Sequence, residues 1–407
     1  MCPVSQEARS FADARIDTIT LMLSTHCNLA CPYCFASGGS YNSRPEHMSV
    51  EVALRSLDVL LQALPTVNTL KLFGGEPLCN PRALATICEY ARSNSSCDLL
   101  LGLSTNGTLL NAEIVDMLVE NRVATSISLD GPRRITECLR IDAKSSSYYD
   151  EIIAGIEMMA SRTRGFAIEA TYTGIHMELG ISLLELVRFL NLLSETVKVQ
   201  PIMMPSMSRL SIADLTKLKH YTVECVEEIF RALCSPQYFE SSYLYENFVI
   251  RCLTNLILGS AAPDEVCQIG RNITVFPNGD LCPCYLFRNE SMGNIVTDTF
   301  PSTLYRDTRR EIELQTRADN LASYSEFAFW YRPLIGDICL GELAHPNGNA
   351  SQLSSISPHL DVFYDTLART ALRLYLSLDS DSPESSHLHS HLQHLYENLS
   401  AWMHPNA

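Results

Sequence analysis

Six short apolar segments, each followed by a polar stretch or by a segment with apolar residues at helical spacing, fill the first half of the chain. The predicted strands are residues 16–23, 69–73, 99–104, 124–129, 166–173 and 197–203. The helices predicted between them are residues 49–64, 82–92, 111–120, 149–162 and 181–194. Strands that alternate with helices form a parallel sheet, so the pattern predicts an α/β fold that is either barrel-like or doubly wound. Such folds carry their chemistry at the carboxyl ends of the strands.

The charge and the cysteine content narrow the class of function. The 407 residues include 46 acidic and 30 basic side chains, a formal net charge of −16, which disfavours binding to nucleic acid or to an anionic membrane. We recognise no signal peptide and no long apolar segment, so we predict a soluble cytoplasmic protein. In a reducing compartment, 15 cysteines favour metal binding over disulfide bonds.

Three of the cysteines, Cys27, Cys31 and Cys34, lie together directly after the first predicted strand. Three thiolates on one short loop can bind three irons of a [4Fe–4S] cluster and leave the fourth iron open to a small molecule. The alternatives are a zinc knuckle or three unrelated thiols. Zinc sites usually combine a paired Cys-x2-Cys with two further ligands close by, which this loop does not supply. The spacing therefore favours the cluster.

A second motif, Gly74-Gly75-Glu76-Pro77, ends the second predicted strand. Two glycines let the backbone approach a ligand closely, and a carboxylate suits an ammonium group. Together with the cysteine loop and the aromatic Phe35 that follows it, this motif resembles the signatures of the radical S-adenosylmethionine (radical SAM) superfamily. The resemblance implies that the three cysteines bind a [4Fe–4S] cluster and that Gly74, Gly75 and Glu76 hold the amino group of SAM.

Polar residues close the next two predicted strands: Ser104 and Asn106 the third, Ser128 and Asp130 the fourth, with Arg140 further on. Singly, each of them fits an ordinary turn. Their order along the chain resembles the branch of the superfamily that contains peptide-modifying maturases and anaerobic sulfatase-maturating enzymes. By that resemblance, the first four residues line the SAM pocket and Arg140 pairs with the SAM carboxylate.

A second set of cysteines lies around a predicted β-hairpin. Its strands, residues 272–276 and 280–286, flank Asn278-Gly279, a dipeptide typical of type I′ turns. A hairpin brings its two ends together, so Cys267 before it and Cys284 after it can share one cluster.

The segment with Cys267, Gly279 and Cys284 resembles the start of the SPASM/Twitch domain of radical SAM maturases. By that resemblance, Cys339 is a third ligand of an auxiliary [4Fe–4S] cluster. We expect one such cluster at most, because Cys339 is the sole cysteine after Cys284. Four candidates for the remaining ligand stay open: the substrate itself, Cys282, Asp337 and Glu342. A zinc site, or a domain that has lost its cluster, also stays open.

The resemblance implies four regions. They are an N-terminal extension (1–15), a partial (β/α)6 TIM-like barrel (16–235), a SPASM/Twitch-like domain for the auxiliary cluster (236–345), and C-terminal helices with a polar tail (346–407).

The resemblance also implies an enzyme. In this superfamily the reduced cluster cleaves SAM, and the resulting 5′-deoxyadenosyl radical abstracts a hydrogen atom from the substrate. We expect a ribosomally made precursor peptide as substrate, oxidatively cross-linked, with a leader-binding protein and an electron donor such as flavodoxin or ferredoxin as partners. No catalytic base is assigned. The alternatives are a sugar or aminocyclitol dehydrogenase or epimerase, an anaerobic sulfatase maturase, and a non-catalytic iron–sulfur or zinc scaffold.

Overall fold

The structure is a computed structural model, and it describes residues 16–41, 43–93, 99–202, 209–237, 247–259, 271–288, 291–297 and 358–403. The described residues form two compact units. The first unit contains those up to residue 125 and those from 271 to 297, and the second contains those from 126 to 259 and from 358 onward. Cys267, Asp337, Cys339 and Glu342 lie outside the described residues, so their predicted roles stay predictions.

The strands and helices follow the order predicted from the sequence. The strands are β1 (Thr18–Ser24), β2 (Thr69–Gly74), β3 (Leu100–Thr105), β4 (Ala124–Ser128), β5 (Phe166–Tyr172), β6 (Thr196–Pro201), β7 (Asn272–Val275) and β8 (Leu281–Cys282). The helices are α1 (Val50–Ala63), α2 (Pro81–Ser93), α3 (Ala112–Glu120), α4 (Arg133–Leu139), α5 (Tyr149–Ala160), α6 (Gly174–Glu178), α7 (Leu183–Asn191), α8 (Leu215–Leu233), α9 (Phe248–Thr254), α10 (Pro358–Ser377) and α11 (Pro383–Met403). Of the helices that come before β6, the prediction missed α4 and α6, which are only 7 and 5 residues long and too short to show a helical period.

In the first unit, β1 is buried along its whole length and has a parallel neighbour on each side, β2 and β7. On the far side of β2 lies β3, also parallel. Apolar side chains of α1 and α2, among them Leu57, Leu60, Leu84 and Ile87, share one core with these strands. The carboxyl ends of β1, β2 and β3 therefore point the same way and bring the residues that follow them to one edge of this unit.

The hairpin of β7 and β8 adds an antiparallel strand beyond β7. The predicted type I′ turn is wrong, since that turn needs a positive φ at two successive residues and here only Gly279 has one, at +90°. Gly279 N–H instead donates to Phe276 O (2.9 Å), with Pro277 second in the turn. Proline fixes a negative φ, so the turn begins one residue earlier and Gly279 follows it as a bulge.

In the second unit the strand order is β4-β5-β6, and β5 runs parallel to β6. A capping box at the start of α7 joins Ser182 and Glu185 in both directions. Helix α8 packs against α10 and α11, and the His391 ring contacts Leu233 O at 2.8 Å. Among the helices that the structure describes, none is both long and apolar enough to span a bilayer.

Candidate functional site

The loop after β1 carries three half-buried thiols, those of Cys27, Cys31 and Cys34, none of them in a disulfide. Cys34 N–H donates to Cys31 O at 2.9 Å, which closes a turn around the second and third cysteines. Burial, together with the smaller effects of the charges of Glu76 and of the other two cysteines and against that of the Leu29 N–H, raises the pKa of Cys27 to about 12. Because a cluster iron binds a thiolate, iron would have to displace the Cys27 proton.

Two N–H groups point at the Cys27 sulfur: Leu29 N–H at 3.4 Å and the Asn106 side-chain amide at 3.6 Å. The same amide donates to Asn28 Oδ1 at 2.9 Å, and Asn28 in turn donates to Thr108 Oγ1 at 2.8 Å. Thr108 completes the network by donating to Asn106 Oδ1 at 2.7 Å. This network ties the cysteine loop to the end of β3. Sequence reasoning singled out Asn106 but missed Asn28 and Thr108.

Gly74, the last residue of β2, and Gly75, which follows it, pack closely against neighbouring backbone. A Cβ on Gly74 would lie 2.2 Å from Ser24 O, and one on Gly75 would lie 2.7 Å from His26 O. Gly39, beyond the cysteine loop, is equally constrained, since its Cβ would come within 2.3 Å of Gly75 Cα. The glycines therefore allow the cysteine loop to seat directly on the end of β2.

The Glu76 carboxylate is almost completely buried and accepts three hydrogen bonds. Its Oε1 accepts from Leu78 N–H (2.9 Å) and from the Thr105 hydroxyl (2.8 Å), and its Oε2 accepts from Asn106 N–H (2.7 Å). All three of these groups donate, so the carboxylate acts as an acceptor towards each of them. Glu76 thus joins the ends of β2 and β3 and places a negative charge beside Cys27.

Ser104 is the second-last residue of β3, and Ser128 is the last residue of β4. Both are half-buried and alternate with fully buried neighbours, Leu103 and Thr105 in β3 and Ile127 in β4. Strand alternation therefore points Ser104 away from Thr105, the β3 residue that contacts Glu76. Their role at SAM stays a prediction.

In the second unit, Asp130 and Arg140 form a buried ion pair. Arg140 Nη2 donates to Asp130 Oδ1 at 3.0 Å, and Arg140 Nε lies 2.9 Å from Asp130 Oδ2. Thr171 N–H also donates to Asp130 Oδ1 at 2.9 Å. The two residues were predicted as separate contacts of SAM, and the structure shows them bound to one another. Their contacts with SAM stay predictions.

Sequence reasoning missed His176, which fixes the backbone of Asp130. Thr173 N–H donates to His176 Nδ1 (3.0 Å), so the ring proton lies on Nε2 and is donated to Asp130 O at 2.7 Å. Burial lowers the pKa of His176, which keeps the ring neutral at pH 7. The sequence contains one signal for this contact, a histidine three residues after a threonine, which is the spacing of a capping box.

Of the second cysteine set, the structure describes Cys282 and Cys284. Cys282 ends β8, is fully buried and packs with Met22 and Phe276, and its thiol donates to Arg288 O at 3.3 Å. Cys284 is half-buried and immediately precedes a short turn of 3₁₀ helix, Tyr285–Phe287. Both lie in the first unit, as the three-cysteine loop does.

The residues after β1 and β2 fit a [4Fe–4S] cluster. Three thiols lie on one loop, and two N–H donors already point at the sulfur of Cys27. In the described part of the chain, no three His, Cys, Asp or Glu side chains converge as they would around a single metal ion. A [4Fe–4S] cluster does not need its thiolates to converge on one point, because each thiolate binds a different iron.

The model of the Radical SAM superfamily matches residues 21–190, which include the cysteine loop, Glu76, Asn106 and the Asp130–Arg140 pair. Residues 21–190 are a radical SAM domain. The resemblance stated from the motifs is thereby confirmed at the level of the superfamily. This domain implies a [4Fe–4S] cluster and SAM as its cofactors, and the residues just described fit the cluster.

Relatives of this radical SAM domain act on different substrates. An AdoMet-dependent heme synthase of Methanosarcina barkeri is 29% identical over 227 residues, 53% of this chain and 61% of its own. A serine-type anaerobic sulfatase-maturating enzyme of Bacteroides thetaiotaomicron is 29% identical over 143 residues, 33% of this chain and 34% of its own. The chain thus spans less than two thirds of the length of either relative.

Two solved structures share the fold. Native anSMEcpe with bound AdoMet has a TM-score of 0.69 at 17% identity, covering 88% of this chain and 97% of that chain. Streptococcus suis SuiB bound to precursor peptide SuiA has a TM-score of 0.52 at 15% identity, covering 74% and 69%. The predicted fold class is confirmed: an α/β fold with a parallel sheet in the partial barrel-like arrangement of radical SAM proteins.

Proposed function

We propose that the chain is a radical SAM enzyme that cleaves SAM reductively and abstracts a hydrogen atom from its substrate. The observation that carries this proposal is the network that joins the cysteine loop to Glu76 through Asn106. Asn106 donates its backbone N–H to Glu76 and its side-chain amide to the Cys27 sulfur. A loop that only bound a metal would not need a buried carboxylate fixed beside it.

Cys27, Cys31 and Cys34 would hold three irons of a [4Fe–4S] cluster, with SAM at the fourth. When bound, these cofactors supply an electron and a 5′-deoxyadenosyl group able to take a hydrogen atom from an unactivated carbon. The chain's own residues position them. The N–H groups of Leu29 and Asn106 stabilise the Cys27 thiolate, and Glu76 offers an anionic acceptor to the SAM ammonium.

SAM cleavage tests the proposal directly. We expect the anaerobically reconstituted and reduced protein to form 5′-deoxyadenosine from SAM, measured by liquid chromatography and mass spectrometry. The triple variant Cys27→Ala, Cys31→Ala, Cys34→Ala should form none. Cys138→Ala is the matched control, because Cys138 is an exposed cysteine on α4 and its loss should leave the rate unchanged. Equal product from the triple variant would refute the cluster assignment.

For the substrate we propose a ribosomally made peptide that is cross-linked oxidatively. Two proteins of the same fold were solved with peptides: SuiB with precursor peptide SuiA, and anSMEcpe with the Cp18Cys peptide. An auxiliary cluster at Cys282 and Cys284, with Cys267 and Cys339, would accept the electron that an oxidation releases. A leader-binding protein, a flavodoxin or ferredoxin as electron donor, and a cytoplasmic location belong to the same proposal.

Co-expression under anaerobic conditions with a short peptide encoded beside the gene tests the substrate. A cross-link removes two hydrogens, so the peptide mass should fall by about 2 Da per modification. An unchanged peptide, with 5′-deoxyadenosine still formed, would contradict the peptide proposal and favour a sugar or aminocyclitol substrate.

A second candidate is the maturation of a sulfatase side chain. It is favoured by the sulfatase-maturating relative from Bacteroides thetaiotaomicron, 29% identical over 143 residues. Incubation with a sulfatase-derived peptide decides between the two. Modification of that peptide, and not of the neighbouring precursor, would establish the second candidate.

A further inference from the structure

The chain that follows Cys34 forms a short arm, residues 36–41 and 43, which lies against the cysteine loop. The contact is closest at Gly39, where a Cβ would lie 3.3 Å from Cys27 Cβ and only 2.3 Å from Gly75 Cα. A shift of the arm would therefore change the packing around the first cysteine of the loop and around the second glycine of the Gly-Gly pair. The geometry of the cysteine loop depends on what holds the arm in place.

The backbone of the arm is strained. Ser37 and Tyr41 have φ values of +48° and +52°, in the left-handed region that non-glycine residues rarely adopt. Such residues persist only where the surrounding structure holds them. The arm contributes two hydrogen bonds of its own, from Tyr41 N–H to Ala36 O at 2.9 Å and from the Ser40 hydroxyl to Ser37 O at 3.0 Å. Both join one part of the arm to another, so they do not attach it to the rest of the protein.

Arg288, four residues after Cys284, attaches the arm from outside. Its Nη1 donates to the Ser43 hydroxyl at 2.5 Å and to Ser40 O at 3.4 Å. Its guanidinium lies over the Phe276 ring, 4.8 Å from the ring centroid, which is a cation–π contact. One side chain thus binds the arm through its N–H groups and the end of the β7–β8 hairpin through its flat face.

Arg288 is itself fixed to the sheet of the first unit. Its backbone O accepts from the Cys282 thiol at 3.3 Å. The Phe276 ring beneath its guanidinium is fully buried and packs with Cys282 and with Met22 of β1. The same ring also contacts the Tyr41 ring edge-on, with the centroids 5.9 Å apart. The arm is therefore anchored to buried residues of the sheet.

We propose that Arg288 is a positioning residue for the SAM-binding cluster, since it holds the arm against Cys27 and Gly75 and so keeps the cysteine loop in the arrangement that binds iron and SAM. The inference rests on the proposed function, because it requires the cluster. Arginine suits this task better than lysine, because its planar group can lie over Phe276 while its N–H groups donate to the arm. Sequence reasoning gave Arg288 no role, and 245 residues separate it from Ser43.

The first test is the loss of iron from the anaerobically reconstituted protein to a chelator, followed by absorbance. Arg288→Ala should lose iron about 10-fold faster than the wild type, the factor that one hydrogen bond from a charged group contributes. Arg133→Ala is the matched control and should lose iron as the wild type does. Arg133 also lies over an aromatic ring, that of Tyr149 at 4.5 Å, but it belongs to the second unit.

The second test separates positioning from general stability. In Arg288→Ala, the clusters that remain should need about 2- to 10-fold more SAM to change their electron paramagnetic resonance spectrum, because Gly75 shifts with the arm. A role in stability alone would leave this SAM requirement at the wild-type value, and that result would overturn the inference.

Ser43→Ala is a milder variant at an exposed residue. It removes the hydroxyl that accepts from Arg288 and donates to Ser40 O at 2.8 Å, and it should speed iron loss by about 2- to 10-fold. If Arg288 acts through the arm, the double variant Arg288→Ala, Ser43→Ala should lose iron more slowly than the product of the two single effects predicts. Effects that multiply in full would mean that the two residues act independently and would overturn the inference.

The inference and the proposed function fail in different ways. Iron loss at the wild-type rate in Arg288→Ala, or equally fast loss in Arg133→Ala, overturns the inference and leaves the proposed function intact. A wild-type protein that takes up no iron and forms no 5′-deoxyadenosine overturns both.

Discussion

Each unit has a buried carboxylate that follows a strand, Glu76 after β2 and Asp130 after β4, and the protein stabilises the two differently. Glu76, in the first unit, accepts hydrogen bonds from Leu78, Thr105 and Asn106, and these donors carry no charge. Asp130, in the second unit, is held by the Arg140 guanidinium. Neutral donors stabilise a carboxylate without neutralising it, whereas an ion pair cancels its charge. We expect Glu76 to bind a cationic ligand and Asp130 to stabilise its unit, and the contact of Asp130 with SAM stays a prediction.

The largest expected effect is on the ion pair. Asp130→Asn would leave the Arg140 cation buried without its counter-ion, which costs about 3–5 kcal/mol of folding free energy. Urea unfolding followed by circular dichroism measures the loss.

The control for this variant is Asp150→Asn, which breaks a solvent-exposed pair with Arg133 and should leave the midpoint unchanged. If both variants unfold at the wild-type midpoint, the Asp130–Arg140 pair contributes no stability. The proposed difference between Asp130 and Glu76 would then be wrong.

A smaller effect, on ligand binding, is expected at Glu76. Glu76→Gln removes the charge and keeps the size of the side chain, so SAM should bind about 10- to 100-fold more weakly, the value of one charge-assisted hydrogen bond of about 1.5–3 kcal/mol. Isothermal titration with the reconstituted protein measures the dissociation constant. An affinity equal to that of the wild type would show that Glu76 only connects the ends of β2 and β3 and does not bind SAM.

The third prediction concerns pH and the histidine beside Asp130. Burial lowers the pKa of His176 in the folded state, so below about pH 6.5 the unfolded chain binds a proton that the folded chain does not. Stability must therefore fall as the pH drops below about 6.5, by up to about 1.4 kcal/mol per pH unit for one such group.

Burial also lowers the pKa of His359, so the wild-type slope contains both histidines. His176→Asn should reduce this slope and leave the part due to His359. A slope that does not change would mean that His176 is protonated equally in both states.

The smallest effect is expected at Thr105. Thr105→Val removes the hydroxyl that donates to Glu76 at 2.8 Å and keeps the shape of the side chain. Since one donor to Glu76 is lost while its charge remains, SAM affinity should fall by about 2- to 10-fold, less than in Glu76→Gln. Titration of both variants under one set of conditions ranks them, and the reverse order would contradict the assigned roles.

The two buried carboxylates also show which parts of the site can be predicted from the sequence. The strands were predictable because short apolar segments alternate along the chain with amphipathic helical segments. Glu76 was predictable because it lies in a contiguous motif. The partners of these residues were not. Thr105 reaches Glu76 across 29 residues, and His176 reaches Asp130 across 46, distances over which no periodic pattern connects two positions.

The roles of the glycines were also only partly predictable. Gly74 and Gly75 suggested close approach to a ligand, but the structure shows them against the backbone of Ser24 and His26. Close approach to a ligand and close packing against backbone both require a residue without a side chain, so only the structure distinguishes the two. The hairpin turn shows the same limit, since Asn278-Gly279 predicted one turn and Pro277 imposed another.

The central claim, that the loop of Cys27, Cys31 and Cys34 with Glu76 forms a cluster and SAM site, is tested most directly by electron paramagnetic resonance of the reduced, reconstituted protein with and without SAM. We expect the spectrum of a [4Fe–4S] cluster that changes when SAM is added, because SAM binds the iron that no cysteine holds. In Glu76→Gln the same change should require about 10- to 100-fold more SAM. A cluster spectrum that does not respond to SAM at any concentration would contradict the account.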